Sequence, residues 1–325
     1  MSAARSLDLL VSAARLYYEQ GRSQQEVAAA LGVSGSSVSR ILAAARDQGV
    51  VVITVRDPRQ VVRRVPELES QLVAAFGLRE AWVGTVPDGL QPVGAAAILA
   101  ARFFVERLGT MRRVGLSWGT TIGRFVEAVD VDPAPRDLEL LPLVGGMAAL
   151  DTGPDGSSSL QTLARKCGAR ASRLEAPAIV ESPQTGIAMM RESVIAAALE
   201  RASSVDTAFL GIGSVGTAAS SRLLAAMKLS EPELLEVEAA GPAGDMCGRF
   251  FDDNGVPLGP PTSTRVIGVT LEQLARIPTV VAMAAGVEKT RGVLAALRSQ
   301  VVGILVLDEA LATQVLRHRT SAAPA

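Results

Sequence analysis

Apolar positions in the N-terminal part of the chain follow helical spacing in three short blocks. Leu7, Leu10, Val11, Ala14 and Tyr17 or Tyr18 mark one face of a helix over residues 6–19. Gln20-Gly21-Arg22 stops it. Ser23-Gln24-Gln25-Glu26 then has the form of a capping box, in which the Ser hydroxyl and the Glu carboxylate satisfy each other's backbone amides. Val27, Ala28 and Leu31 are the inward face of the helix that follows. Gly32 ends it in a left-handed conformation, and Val33 closes the core across the turn. Ser34 caps a third helix over residues 35–46. Its inner face is Val38, Ile41, Leu42 and Ala45, which leaves Gly35, Ser36, Ser39 and Arg40 outside. After Gly49, the β-branched run Val50–Val55 predicts a strand. Two short helices across a Gly turn, followed by a strand or wing, predict an all-α winged helix-turn-helix over residues 1–58.

Asp57-Pro58 breaks the wing. Val61, Val65, Leu68, Leu72 and Phe76 then fall on one helix face, which either covers the body or pairs with a second subunit. From residue 79, strand-like and helix-like segments alternate. Strands are expected at 80–84, 113–116, 138–143, 205–210, 279–283 and 302–307, with helices at 94–108, after Ser117-Trp118-Gly119-Thr120-Thr121, after Lys289 and after Asp308-Glu309. That pattern predicts a large α/β, Rossmann-like domain with a mainly parallel sheet over residues 59–325.

The net charge of −1 conceals an asymmetry. Residues 1–64 hold nine Arg and five acids, a balance of +4, and the remainder carries −5. A basic head on an acidic body is the charge pattern of a module that meets a polyanion. Duplex DNA fits, because the N-terminal end of the third helix enters the major groove in this motif. Ser23, Gln24, Ser34, Gly35, Ser36, Ser37, Ser39 and Arg40 are the candidate DNA-contacting positions. No apolar run approaches the ~18 residues of a membrane span, and no signal peptide is recognisable, so a soluble cytoplasmic protein is expected. The two cysteines, Cys167 and Cys247, form no CxxC pair. The one histidine, His318, stands near the C-terminus. Metal chemistry, a cofactor and catalysis by a Ser-His or Cys-His pair are therefore not expected.

In an open α/β sheet, ligands bind in the crevice at the C-terminal ends of the strands. Those ends carry small residues, hydroxyls and a cation. Ser117, Thr120 and Thr121 can donate to phosphate or sugar oxygens. A helix N-terminus behind Gly119 adds a favourable dipole. Lys289, one of three lysines against 29 arginines, sits where a strand passes into a helix. Gly211-x-Gly213-x-x-Gly216 has the letters of a dinucleotide motif but no acidic residue following at the required distance, and reads as a close backbone turn lining the crevice. Asp245 is a candidate acceptor for sugar hydroxyls, with capping of its loop an equal reading. Cys247 reads as a small buried hydrophobe.

These segments resemble the SorC family of bacterial sugar-responsive transcription regulators. The resemblance rests on Ser37-Val38-Ser39-Arg40, Val114 to Thr121, Pro142-Leu143-Val144-Gly145-Gly146, Gly244 to Asp252, Arg265 to Leu271 and Gly286-Val287-Glu288-Lys289, in that order. It implies a winged helix-turn-helix that binds operator DNA and an effector domain shaped like sugar-phosphate isomerases. It also implies a homo-oligomer, dimer or tetramer, whose grip on the operator changes when a phosphorylated sugar or sugar alcohol binds. Effector-site roles then fall on Ser117, Gly119, Thr120, Thr121, Gly145, Gly146, Gly213, Asp245 and Lys289. Two positions depart from the pattern: Gly35, where many relatives carry a larger or basic residue, and Val144, where some carry a polar or basic one. The alternatives are a sugar-phosphate isomerase or deaminase with an added head and, more distantly, a nicotinamide-dependent oxidoreductase.

Overall fold

The computed structural model describes residues 7–51, 61–134, 136–147 and 156–319. The chain divides into two compact units, Met1–Arg59 and Gln60–Ala325.

In the first unit, α1 (Leu7–Ala14) runs into a wider turn at Arg15–Glu19, followed by α2 (Gln24–Leu31) and α3 (Gly35–Asp47). The local chemistry matches the sequence. Ser23 and Glu26 form the capping box, Gly32 is left-handed at φ +66°, and the Ser34 hydroxyl accepts from the Ser37 amide. α2 and α3 cross at 97°, within the angular range of a helix-turn-helix. Leu10, Ala13, Val27, Val38, Ile41, Leu42 and Ala45 form a common core, with Val33, Val50 and Val51 packed on it. The strand and wing expected at 50–55 fall mostly on residues 52–55, which lie outside the described residues.

The second unit begins with α4 (Pro66–Phe76), not with a helix from Val61. The segment before it bridges β1 (Glu80–Gly84) instead: Arg64 pairs with Gly84, and the Val65 amide donates to Val83 O. Pro66 explains the difference, because proline belongs at the first turn of a helix and pushes the preceding residue out of helical conformation. Leu72 of α4 is fully buried in the core of this unit.

The chain continues through α5 (Pro92–Arg107), β2 (Arg113–Leu116), α6 (Thr120–Ala128), β3 (Glu139–Pro142), α7 (Gly156–Cys167), β4 (Arg170–Ala171), α8 (Pro183–Arg191) and α9 (Ser193–Ser203). Then come β5 (Thr207–Ser214), α10 (Ala218–Ala226), α11 (Glu231–Ala239), β6 (Pro242–Met246), β7 (Arg249–Asp252), α12 (Leu271–Leu274), β8 (Thr279–Ala284), α13 (Thr290–Arg298), β9 (Ile304–Asp308) and α14 (Glu309–Arg319). Seven parallel strands lie in the order β1-β9-β8-β5-β2-β3-β4, with the β6–β7 hairpin attached antiparallel to β5. Successive side chains of each strand feed opposite faces. Ala208, Leu210 and Ile212 of β5 enter one core, and Phe209 enters the other. The order reverses at β2 and β5: β3 and β4 lie beyond β2, and the later strands lie beyond β5. That reversal is where an open sheet leaves a crevice.

Few aromatics are available, and four of the seven phenylalanines are concentrated behind this crevice. Phe125 of α6 stacks on Phe209 of β5 with centroids 5.0 Å apart and planes 6° from parallel, and Phe103 and Phe104 of α5 meet Phe209 edge-on. The stack fixes α6 against the central strand. Among the described residues no single helix is long and apolar enough to cross a membrane.

Phe209→Ala is expected to lower the stability of the larger unit by about 3–5 kcal/mol, the usual cost of emptying such a site. Urea unfolding followed by the fluorescence of Trp82, which packs in the same cluster, measures it.

Candidate functional site

A cavity of about 280 Å3 occupies the strand-end crevice at the β2–β5 switch point. Its wall brings together Ser117, Gly119, Thr120 and Thr121 after β2, Gly213 of β5, Asp245 of β6 and Lys289 after β8. Seven of the nine effector positions expected from the sequence thus share one space.

Each is held by local geometry. β2 ends at Leu116, and the Ser117 amide donates to Phe209 O of β5. Gly119 then adopts φ +115° as the N-cap of α6, a conformation that side chains disfavour. The first-turn amides of α6 have no intrahelical acceptor, so this end of the helix is an anion-seeking surface. Lys289 is set by a second glycine turn. Gly286 has φ +90°, and its amide donates to Oδ2 of the fully buried Asp308 at 2.8 Å. Lys289 Nζ donates to Ile212 O at 3.3 Å.

β5 continues to Ser214, and Gly213 pairs with Asp245 across the β5–β6 ladder. The glycine-rich stretch is therefore strand, not the turn expected from its letters, and Gly216, at φ +94°, belongs to the turn beyond it. A Cβ at Gly213 would overlap Asp245 Oδ1, so glycine is what lets the carboxylate lie against the strand. The hairpin turn is Cys247-Gly248, with φ +53° and +75°. Two positive values define a type I′ turn, which matches the twist of the flanking strands.

Gly145 and Gly146 are not among the described lining residues; the next residue, Met147, is. Both are used in packing. The Gly145 amide donates to Ile267 O and the Gly146 amide to Ala176 O, each at 2.9 Å, and a Cβ on Gly145 would overlap the Pro177 carbonyl. The sequence reading also missed several wall residues: Val93, Thr217, Ala219, Arg222 and Leu223. Ala219, Arg222 and Leu223 follow helical spacing on α10, a signal that gains meaning only once that helix is known to flank the crevice. Arg222 has no hydrogen bond or ion pair with another described residue. Trp118 also lines the space, and its buried Nε1–H has no acceptor among the described residues.

Electrostatics separate these groups. Burial pushes the Asp245 carboxyl above its ordinary range, opposed by the Ser220 hydroxyl, the Lys289 charge and the Gly248 amide. Burial also pushes Lys289 below its ordinary range, opposed by Asp245 and Glu288. The Cys247 thiol, buried beside Asp245, is pushed up to about 12, which leaves it unreactive. The buried Arg249 guanidinium donates to the carbonyls of Ser263, Val266, Gly268 and Val269, pinning the hairpin that carries Asp245. His318 is exposed on α14. In the first unit, Ser23, Gln24, Ser34, Gly35, Ser36, Ser39 and Arg40 are exposed. Ser37 is half-buried with its hydroxyl 2.9 Å from that of Ser34, and Arg40 Nε donates to Ser36 O.

A family model described as "Putative sugar-binding domain" matches residues 61–317. A second, "Sigma-70, region 4", matches residues 15–48, which contain α2 and α3. Fold and site together define a transcription regulator with a DNA-binding head and a sugar-binding body. The sorbitol operon regulator of Klebsiella pneumoniae is 27% identical over 322 residues, 98% of this chain and 100% of the relative. The deoxyribonucleoside regulator of Bacillus subtilis is 28% identical over 303 residues, 93% of this chain and 95% of the relative. The crystal structure of the full-length Klebsiella regulator superposes with a TM-score of 0.71 at 26% identity, covering 96% of this chain and all of that one. A DeoR family transcriptional regulator from Listeria monocytogenes gives 0.69 at 29% identity, over 77% of this chain and 98% of that one. The chain belongs to the SorC family of sugar-binding transcriptional regulators.

Asp245 gives a test of the site's electrostatics. Its raised pKa means that, above the ordinary carboxylate value, the native state binds more protons than the unfolded chain, and stability falls as pH rises through that window. Asp245→Asn removes this cost. Without ligand, the variant is expected to melt higher than the unmodified protein at neutral pH. The advantage should vanish in acid, where Asp245 is neutral in both states. Thermal melts from about pH 3 to pH 8 check this.

Proposed function

We propose that the cavity binds a phosphorylated sugar or sugar alcohol and that its occupancy changes the affinity of residues 1–58 for operator DNA. The phosphate is taken by the α6 N-terminus, the hydroxyls of Ser117, Thr120 and Thr121, and Lys289. Asp245 accepts from sugar hydroxyls. The convergence of a helix N-terminus, hydroxyl donors and a half-buried lysine on one small cavity, with a carboxylate on its wall, carries this reading. Arg222, without a hydrogen-bond or ion-pair partner among the described residues, adds a second positive charge for an anionic ligand. At about 280 Å3 the space lies at the lower end of the ~300–1,000 Å3 typical of small-molecule sites, which suits a metabolite of monosaccharide size. The names of the relatives, a sorbitol operon regulator and a deoxyribonucleoside regulator, support a carbohydrate-linked effector.

In this reading the protein is a cytoplasmic homo-oligomer, and Ser23, Gln24, Ser34, Gly35, Ser36, Ser37, Ser39 and Arg40 form the operator-facing surface. Ser34 and Ser37 serve the cap of α3 first and the DNA second. Catalysis is not part of the role. The relatives are named as transcription regulators, which supports a role in binding.

Binding of DNA and effector is reciprocal, and a typical coupling of about 1–3 kcal/mol changes operator affinity 5–150-fold. The experiment is fluorescence anisotropy on a DNA site selected by the protein from a random pool, with and without sorbitol 6-phosphate, deoxyribose 5-phosphate and related sugar phosphates. Lys289→Ala is expected to weaken sugar-phosphate binding by about 2–5 kcal/mol and abolish the DNA response, with ligand-free DNA binding unchanged. A normal response in that variant would refute the phosphate site. Arg40→Ala is expected to weaken DNA binding and reduce the slope of affinity against salt by about one ion. An unchanged salt slope would remove Arg40 from the DNA surface.

A further inference from the structure

We infer that Ser220, which does not line the cavity, is the residue that positions Asp245 for ligand hydroxyls. This rests on the effector reading above and adds the origin of its hydroxyl recognition. Ser220 lies in the first turn of α10 and is 1% exposed. Its hydroxyl donates to Asp245 Oδ1 at 2.9 Å, the one side-chain hydrogen bond to that carboxylate among the described residues.

Three elements meet at this contact. Gly213 of β5 supplies the missing side chain under Oδ1, Ser220 of α10 supplies the donor, and the β6–β7 hairpin supplies the carboxylate. With Oδ1 held between strand and helix, the carboxylate cannot rotate freely. A carboxylate that is fixed and ionised accepts two hydroxyl hydrogens from a polyol, whereas a neutral acid donates one proton and loses an acceptor. Orientation and charge of Asp245 therefore decide whether the cavity reads hydroxyls or merely holds an anion.

Burial opposes ionisation here, and a hydrogen bond to the charged form favours it. The other groups that act on Asp245 are the Lys289 ammonium from the turn before α13, the Gly248 amide of its own hairpin turn, and the Cys247 thiol beside it. Cys247 offers no positive charge to support the carboxylate. Lys289 does, but its ammonium donates to Ile212 O and not to the carboxylate. Ser220 is thus the side-chain donor that, together with the Gly248 amide, works against the burial of this carboxylate.

The test uses full-length protein with 13C-carboxyl aspartate, the Asp245 resonance being assigned with Asp245→Asn. Ser220→Ala, the mildest change at a buried serine, is expected to raise the Asp245 titration midpoint by about one pH unit, the size of one hydrogen bond to a charged group. It should also weaken sorbitol 6-phosphate or deoxyribose 5-phosphate by about tenfold while leaving inorganic phosphate within about twofold. An unchanged midpoint overturns the assignment. So does an equal loss for sugar phosphate and inorganic phosphate, because a merely structural role would weaken both. If neither sugar phosphate binds the unmodified protein, the effector reading fails, and the titration midpoint alone decides the role of Ser220.

Discussion

The structure turns on placing a carboxylate and an ammonium, both partly stripped of water, at the wall of one cavity without pairing them directly. Each is pushed by burial toward its neutral form. Each is also held by a neutral partner, Asp245 by Ser220 and Lys289 by the Ile212 carbonyl. A closed ion pair would satisfy both charges and leave neither for a ligand. Held apart, they keep unspent hydrogen-bonding capacity at the cavity wall, which costs stability in the empty protein.

The sheet makes this possible. β5 outruns its parallel neighbours and turns its last residues into an antiparallel ladder with β6, carrying Asp245 above the strand ends. The Phe125–Phe209 stack ties α6 to that same strand from the opposite face. The anion-seeking helix end and the carboxylate are thus both referenced to β5. Arg249, spread over four carbonyls of residues 263–269, and Asp308, gripping the Gly286 turn, are supports of the same kind. Each is a buried charged side chain used to fix backbone near the cavity, at one remove from any ligand.

Much of this was legible in the sequence, because the signals were local. A capping box, a Gly stop and a serine cap define α2 and α3 within their own few residues. Alternating strand and helix segments gave the α/β class, and seven of nine expected positions fall on one cavity because strand-end loops in such a sheet converge by topology. What escaped is long-range. Gly145 and Gly146 look like a ligand loop, yet their amides are consumed by Ile267 and Ala176, residues distant in sequence. Gly211 and Gly213 look like a close backbone turn, but they lie in β5, and glycine at 213 makes room for Asp245, 32 residues beyond it. Ser220 and Arg222 sit on a helix whose two sides become distinguishable only when the crevice is known. Pro66 carried a local signal that apolar periodicity alone overrode.

A ligand shifts a protein's conformation only by as much as it binds one state better than another. A lining drawn from a single loop could bind tightly and shift little. Here the lining comes from the ends of β2, β5 and β8, the β6–β7 hairpin and α10, so an anion bridging Thr120, Thr121 and Lys289 would cross-link segments separated in sequence. Donors without a partner among the described residues, such as Arg222 and the Trp118 indole N–H, are groups whose satisfaction would depend on where those segments sit.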